Sequence, residues 1–82
     1  MSYDKVKQAT NICVGAKETV KALEELQLCE VVVAKDADAH VTEPIVAMCG
    51  RHGVNVAYVD SMKQLGKASN IKVGASTVGI YK

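Results

Sequence analysis

Apolar residues along this chain alternate between two spacings. Tyr3, Val6 and Ala9 are three apart, as on one face of a short helix that Ser2 can cap and that runs to about residue 10. Residues 11–14 form a brief apolar run that reads as a strand. From Ala16 to about residue 27 the helical period returns: Ala16, Thr19, Val20, Ala22, Leu23 and Leu26 share one arc at about 100° per residue, and Lys17, Glu18, Lys21, Glu24 and Glu25 share the opposite one. Residues 30–34, Glu-Val-Val-Val-Ala, hold a β-branched run without polar alternation, the pattern of a central strand covered on both faces, so helices are expected on both sides of a sheet.

Residues 35–40 make a polar connection. Thr42 can cap a third helix, with Pro44 tolerated in its first turn, Ile45, Val46, Met48 and Cys49 as its apolar stripe and Gly53 as its stop. Residues 54–59 read as a strand. Ser61-Met62-Lys63-Gln64 has the form of a capping box and opens a helix to about residue 69, with Met62, Leu65 and Ala68 inward. A loop over residues 70–75 leads into a last strand over 76–81, with Val78 and Ile80 on one face. This α-β-α-β-α-β-α-β order predicts one α/β domain spanning residues 1–82: a three-layer α/β/α sandwich around a four-stranded mixed sheet. Parallel pairing is expected wherever a helix crosses over, and the short first strand can pair either way.

The stretch Gly15-Ala16-Lys17-Glu18-Thr19-Val20-Lys21 stands out within this pattern. Gly15 is a plausible N-cap, but Lys17 falls in the first turn, where the helix end already carries partial positive charge, and Lys21 repeats that charge four residues on. Each placement costs roughly 0.3–0.5 kcal/mol, and a locally inconsistent placement is where function is to be sought. Helix N–H groups beside two ammonium groups suit a phosphate-bearing partner. The alternative is that Glu18 offsets the dipole, Lys21 pairs with Glu25 and the face is merely solvated.

The net charge of +1 hides a segregation: residues 1–23 sum to +2, residues 24–60 to −5 and residues 61–82 to +4. If the fold joins the two ends, it builds a basic face on a nearly neutral protein. Three cysteines separated by 15 and 19 intervening residues give no CxxC pair and no disulfide framework; Cys13 and Cys49 read as small core residues. Cys49 with His52, and Asp36, Asp38 and His40, have ligand-like spacings. Neither set completes a four-ligand zinc or a calcium-loop pattern, so turn and capping chemistry is expected of the aspartates, and no metal or other cofactor is expected. No apolar run reaches the roughly 18 residues of a membrane span, and the N-terminus lacks the apolar core of a secretory signal, which points to a cytoplasmic protein without a membrane partner.

Four blocks carry a resemblance: residues 15–21 already quoted, then Val32-Val33-Ala34-Lys35-Asp36-Ala37-Asp38, then Ser61-Met62-Lys63-Gln64-Leu65-Gly66-Lys67-Ala68, then Ile71-Lys72-Val73-Gly74-Ala75-Ser76. In this order, and over nearly the whole chain, they resemble the kink-turn-binding ribosomal protein family typified by L7Ae. The resemblance implies recognition of an RNA duplex bent sharply at a three-nucleotide bulge followed by tandem sheared G·A pairs. The kink opens a groove that regular A-form RNA hides. By match, Gly15 allows close backbone approach, Glu18 accepts from guanine, and Lys21 meets a base edge or phosphate. The loop at Ile71, Lys72 and Val73 covers an extruded nucleotide. With Ala16, Lys17, Lys63, Lys67 and Gly74, these residues form the candidate RNA-binding set. Lys17 stands where archaeal and eukaryotic relatives have Asn, exchanging an amide that donates and accepts for a donor-only cation. Lys72 replaces a common Glu, and Met62 follows Ser61 where many members have Lys, with Lys63 serving instead.

The expectation is therefore a non-catalytic monomer that binds kink-turn-containing RNA, ribosomal or regulatory, and takes no small-molecule substrate. Three Tyr without Phe or Trp oppose base stacking on the sheet surface, so readout is assigned to helix and loop. The alternative is a protein-interaction module docking an acidic partner through the same basic face. For an enzyme there is neither a recognisable Cys-His-acid motif nor a phosphate-loop or dinucleotide signature.

Overall fold

The computed structural model describes residues 2–82 and orders them as α1 (Ser2–Gln8), β1 (Ile12–Val14), α2 (Ala16–Glu24), β2 (Leu28–Ala34), α3 (Ala39–His52), β3 (Asn55–Val59), α4 (Met62–Ala68) and β4 (Thr77–Tyr81). The four strands form one mixed sheet in the order β1-β4-β2-β3. β2 and β3 pair in parallel, whereas β4 runs antiparallel to both β1 and β2. The capping role expected of Ser2 falls on a side chain outside the described ones.

The unbroken β-branched run of β2 has the predicted consequence. Val31 and Val33 pack on one face with Ala22 and Leu23 of α2 and Ile45 and Cys49 of α3. Val32 pairs instead with the opposite layer, where Val6 of α1 and Leu65 and Ala68 of α4 meet Ala34, Val59 and Val78. All four β2 residues from Val31 to Ala34 are buried, and the strand contributes to both cores. A three-layer α/β/α sandwich results. Cys13 and Cys49 are buried, and Cys29 is exposed where the β2–β4 register shifts between Leu28 and Glu30.

Three expectations need correction. The third helix starts at Ala39 under an Asp38 cap, whose carboxylate accepts from the His40 N–H at 2.8 Å; Thr42 is a buried helical residue and Pro44 lies inside the helix. Asp38 outcompetes Thr42 because a carboxylate aimed at free N–H groups also meets the positive helix end. The second helix stops at Glu24, and Leu26, placed on its inward arc by periodicity, adopts φ 58 and is 59% exposed. Finally, α4 does not make its flanking strands parallel. After α4 the chain turns back along the same helix, with the Ile71 N–H donating to the Gly66 carbonyl and the Ala75 N–H to the Met62 carbonyl, both at 3.0 Å. This strap returns the chain to the edge where α4 began, so β4 must run the opposite way to β3.

Candidate nucleic-acid interface

β1, β2 and β3 all end at one edge of the sheet, and β4 begins there. The segments that follow or precede them are tied together by backbone hydrogen bonds. The Gly15 N–H donates to the Thr77 carbonyl at 2.9 Å, the Ala34 N–H to that of Ser76 at 2.9 Å, and the Lys35 N–H to that of Val59 at 2.7 Å. The Asp36 carboxylate accepts from the Met62 N–H at 2.8 Å, joining the β2–α3 connection to the start of α4. These bonds make a rigid platform from four chain-distant pieces.

Gly15 is the hinge of that platform. Its φ of 99 with ψ of 158 lies in a region essentially reserved for glycine, and it turns the chain from β1 into α2 without a side chain in the way. No side chain caps α2, so its first N–H groups are left without a side-chain acceptor, a start that suits an anion. Ala16 is half-buried beneath this opening, while Lys17, Glu18 and Lys21 are exposed. Among the described residues the one ion pair is Lys5 with Glu30 at 3.1 Å, so the Lys21–Glu25 pair of the merely solvated reading does not form.

The strap before β4 separates the two apolar residues expected there. Ile71 packs partly against the α1/α4 core, whereas Val73 is 71% exposed. Lys72 and Gly74 are exposed beside it, and Gly74 passes over Met62 at the start of α4. Lys63, in the first turn of α4, stands near the platform; Lys67 lies in the last turn, farther from it. The chain's two basic ends thus contribute Lys17, Lys21, Lys63 and Lys72 toward this edge, whereas Lys67 is farther off, Lys5 pairs with Glu30 and Lys82 follows β4 at the opposite end of the sheet.

Several residues that build this edge carry weak sequence signals. Thr19 and Thr77 are fully buried and their hydroxyls are 3.3 Å apart; a polar residue on the inward arc of α2 was the available sign. Tyr3 donates to the Asp60 carboxylate and accepts from the Ser61 N–H, fastening α1 to the β3–α4 turn. This hydrogen bond from Tyr3 holds the Asp60 carboxyl below its ordinary value, and desolvation followed by the Asp60 contact raises the Tyr3 phenol. A pocket of about 310 Å³, bordered by Val33, Lys35, Thr42, Val46 and Tyr58, lies by the β3 edge of the sheet, away from α2. Among the described residues no three His, Cys, Asp or Glu side chains converge to hold a metal, and no helix is long and apolar enough to cross a membrane.

The chain is a small α/β/α sandwich with a glycine-opened helix at the β1/β4 side of its sheet, and comparison with known proteins places it in a family. Residues 2–82 match the Ribosomal protein L7Ae/L30e/S12e/Gadd45 family, to which this chain belongs. It is 51% identical over 82 residues to an RNA-binding protein of Halalkalibacterium halodurans and 49% identical over 82 residues to the RNA-binding protein YbxF of Geobacillus stearothermophilus, in both cases covering 100% of each chain. Among solved structures it is similar to the Giardia lamblia 15.5kD RNA binding protein, with a TM-score of 0.88 and 29% identity over 98% of this chain and 70% of that one.

Proposed function

We propose that this chain is a non-catalytic RNA-binding protein that recognises and stabilises kink-turns in ribosomal or regulatory RNA. The observation that carries this reading is the juxtaposition at one edge of two features: the uncapped start of α2 at Gly15, and the strap bearing exposed Val73. The first suits close approach to a phosphate backbone and to base edges in an opened groove. The second suits an unstacked nucleotide, which needs an apolar cover. Relatives described as RNA-binding proteins support the same partner.

In this mechanism the α2 N–H groups and the Lys17 and Lys21 ammonium groups meet phosphate or guanine acceptors, Glu18 accepts from guanine N–H groups, and Lys72 meets the backbone beside the extruded base. Binding energy is spent on holding the bend, so a pre-kinked RNA is favoured over a straight one. Lys63 adds charge at the rim, and Lys67 contributes through longer-range attraction.

The test compares a kink-turn RNA with a regular duplex of equal length at matched salt, using the unaltered protein and Glu18→Gln. Preferential binding and compaction of the kink-turn, seen by energy transfer between end labels, are expected. Glu18→Gln removes a negative charge, so a purely electrostatic binder would hold RNA more tightly. Removal of a specific base contact should instead weaken kink-turn binding by about 1–3 kcal/mol. Equal affinity for the two RNAs would sink the kink-turn reading, and tighter binding by the Gln variant would remove Glu18 from readout.

A further inference from the structure

Gly15 is held at both of its polar groups by residues that touch no exposed surface. Its N–H donates to the Thr77 carbonyl at 2.9 Å. Its carbonyl accepts from the Thr19 hydroxyl at 2.7 Å and from the Thr19 N–H at 3.0 Å. A hydroxyl has one hydrogen, and that of Thr19 is committed to Gly15; the 3.3 Å contact between the two threonine hydroxyls therefore has Thr77 as donor and Thr19 as acceptor. Both threonines are 0% exposed, and Cys13 Sγ, 4.0 Å from the Thr19 hydroxyl, fills the remaining side. The bonds close into a ring: Gly15 N–H to Thr77 backbone, Thr77 hydroxyl to Thr19 hydroxyl, Thr19 hydroxyl back to Gly15.

We infer that Thr77, acting through Thr19, is a positioning residue that locks the glycine opening of α2 in its binding geometry, so that RNA affinity depends on a hydroxyl pair the RNA never touches. The RNA half of this inference rests on the function proposed above. Gly15 has no side chain to settle its conformation and sits in a region where few alternatives are excluded by sterics. A helix start without a cap is also prone to fray. A buried hydroxyl pair supplies what sequence-local forces lack: a strong, directional restraint from β4, whose position is set by β1 on one side and β2 on the other. Thr77 itself is paired with Val33 across the β2–β4 ladder, so the restraint is anchored in the centre of the sheet.

Valine has threonine's shape without its hydroxyl, and serine keeps the hydroxyl, so the ring can be opened or kept with little change in volume. Replacing both partners of the Thr77–Thr19 bond with apolar groups of the same shape is nearly neutral for stability, and the Gly15 carbonyl keeps its bond from the Thr19 N–H. Thr19→Val/Thr77→Val is therefore expected to melt close to the unaltered protein, yet to bind a kink-turn RNA about tenfold more weakly and to exchange its Gly15 amide about tenfold faster, the scale of one net hydrogen bond. Thr77→Ser, with Thr19 intact, keeps the hydroxyl and should hold both readings within about twofold of the unaltered protein. Normal kink-turn affinity of the folded double variant would overturn the positioning role, as would unchanged Gly15 exchange. If the unaltered protein fails to prefer a kink-turn over a duplex, the proposed function falls by itself. The lock is then judged on exchange alone: acceleration by valine but not by serine upholds it, and no acceleration rejects it.

Discussion

Gly66 lies against the backbone of Val73 with no space for a side chain: a Cβ at Gly66 would stand 2.0 Å from the Val73 carbonyl oxygen and 3.1 Å from the Gly74 Cα. Both obstacles are backbone atoms, which cannot rotate away. Gly66→Ala should therefore lift the strap from α4, destabilising the protein by about 1–3 kcal/mol, as overpacking does. Thermal melting checks the stability. Hydrogen exchange checks the location, because the Ile71 amide bonded to the Gly66 carbonyl should lose protection while amides in α2 keep theirs.

Ile71 and Val73 are two residues apart but have different surroundings, and their substitutions should separate. Val73→Ser changes an exposed side chain and should leave stability within about 0.5 kcal/mol, while weakening kink-turn binding. Ile71→Ser exposes a hydroxyl to the α1/α4 core and should lower stability by about 1–2 kcal/mol. Denaturant melts and RNA titrations of each single variant test this. Normal RNA affinity in Val73→Ser would remove the apolar cover from the mechanism.

Salt dependence should distinguish the lysines at the edge from those elsewhere. Deleting one lysine–phosphate interaction reduces the log–log slope of affinity against salt by about 0.7–0.9. Lys17→Ala and Lys21→Ala are expected to show this drop, and Lys82→Ala, which belongs to no candidate contact, is expected to leave the slope unchanged. Titrations at several salt concentrations provide the measurement.

The contact between Tyr3 and Asp60 should make stability depend on pH at two extremes. Asp60 is depressed below 3.8, so its contribution is complete above that value and is lost as pH falls through the lower folded-state value. Tyr3 is raised above 10.0, so its contribution is complete below that value and is lost as pH rises through the higher folded-state one. The difference in melting temperature between the unaltered protein and Tyr3→Phe should thus be level between about pH 5 and 9 and shrink on either side.

What could be read in the sequence was what neighbouring residues decide among themselves. The β-branched run of β2 announced a strand covered on two faces, the Ser61 cap announced α4, and Gly15 announced the start of α2. Where two local signals competed, the reading went astray: Pro44 suggested a nearby helix start and favoured Thr42, although Asp38 was the stronger cap. The direction of β4 was hidden for another reason. It follows from the strap retracing α4, and that depends on Gly66 accepting a backbone 7 residues away. The partnership of Thr19 and Thr77 spans 58 residues, so no local pattern could announce it. The candidate binding residues were legible as charges and a glycine, whereas the framework holding them in place was not.

The central position of β4 also has a consequence for how the protein is made. β1 pairs with β4, which in turn pairs with β2. A ribosome releases β1, α2, β2, α3, β3 and α4 before the strand that joins the first of these to the rest exists. Until then β1 has no neighbour in the sheet, and closing it requires contacts across most of the chain, the slow kind of step. Gly15 waits for Thr77. The nascent chain therefore gains its binding edge only once β4 has emerged, after the seven elements that precede it.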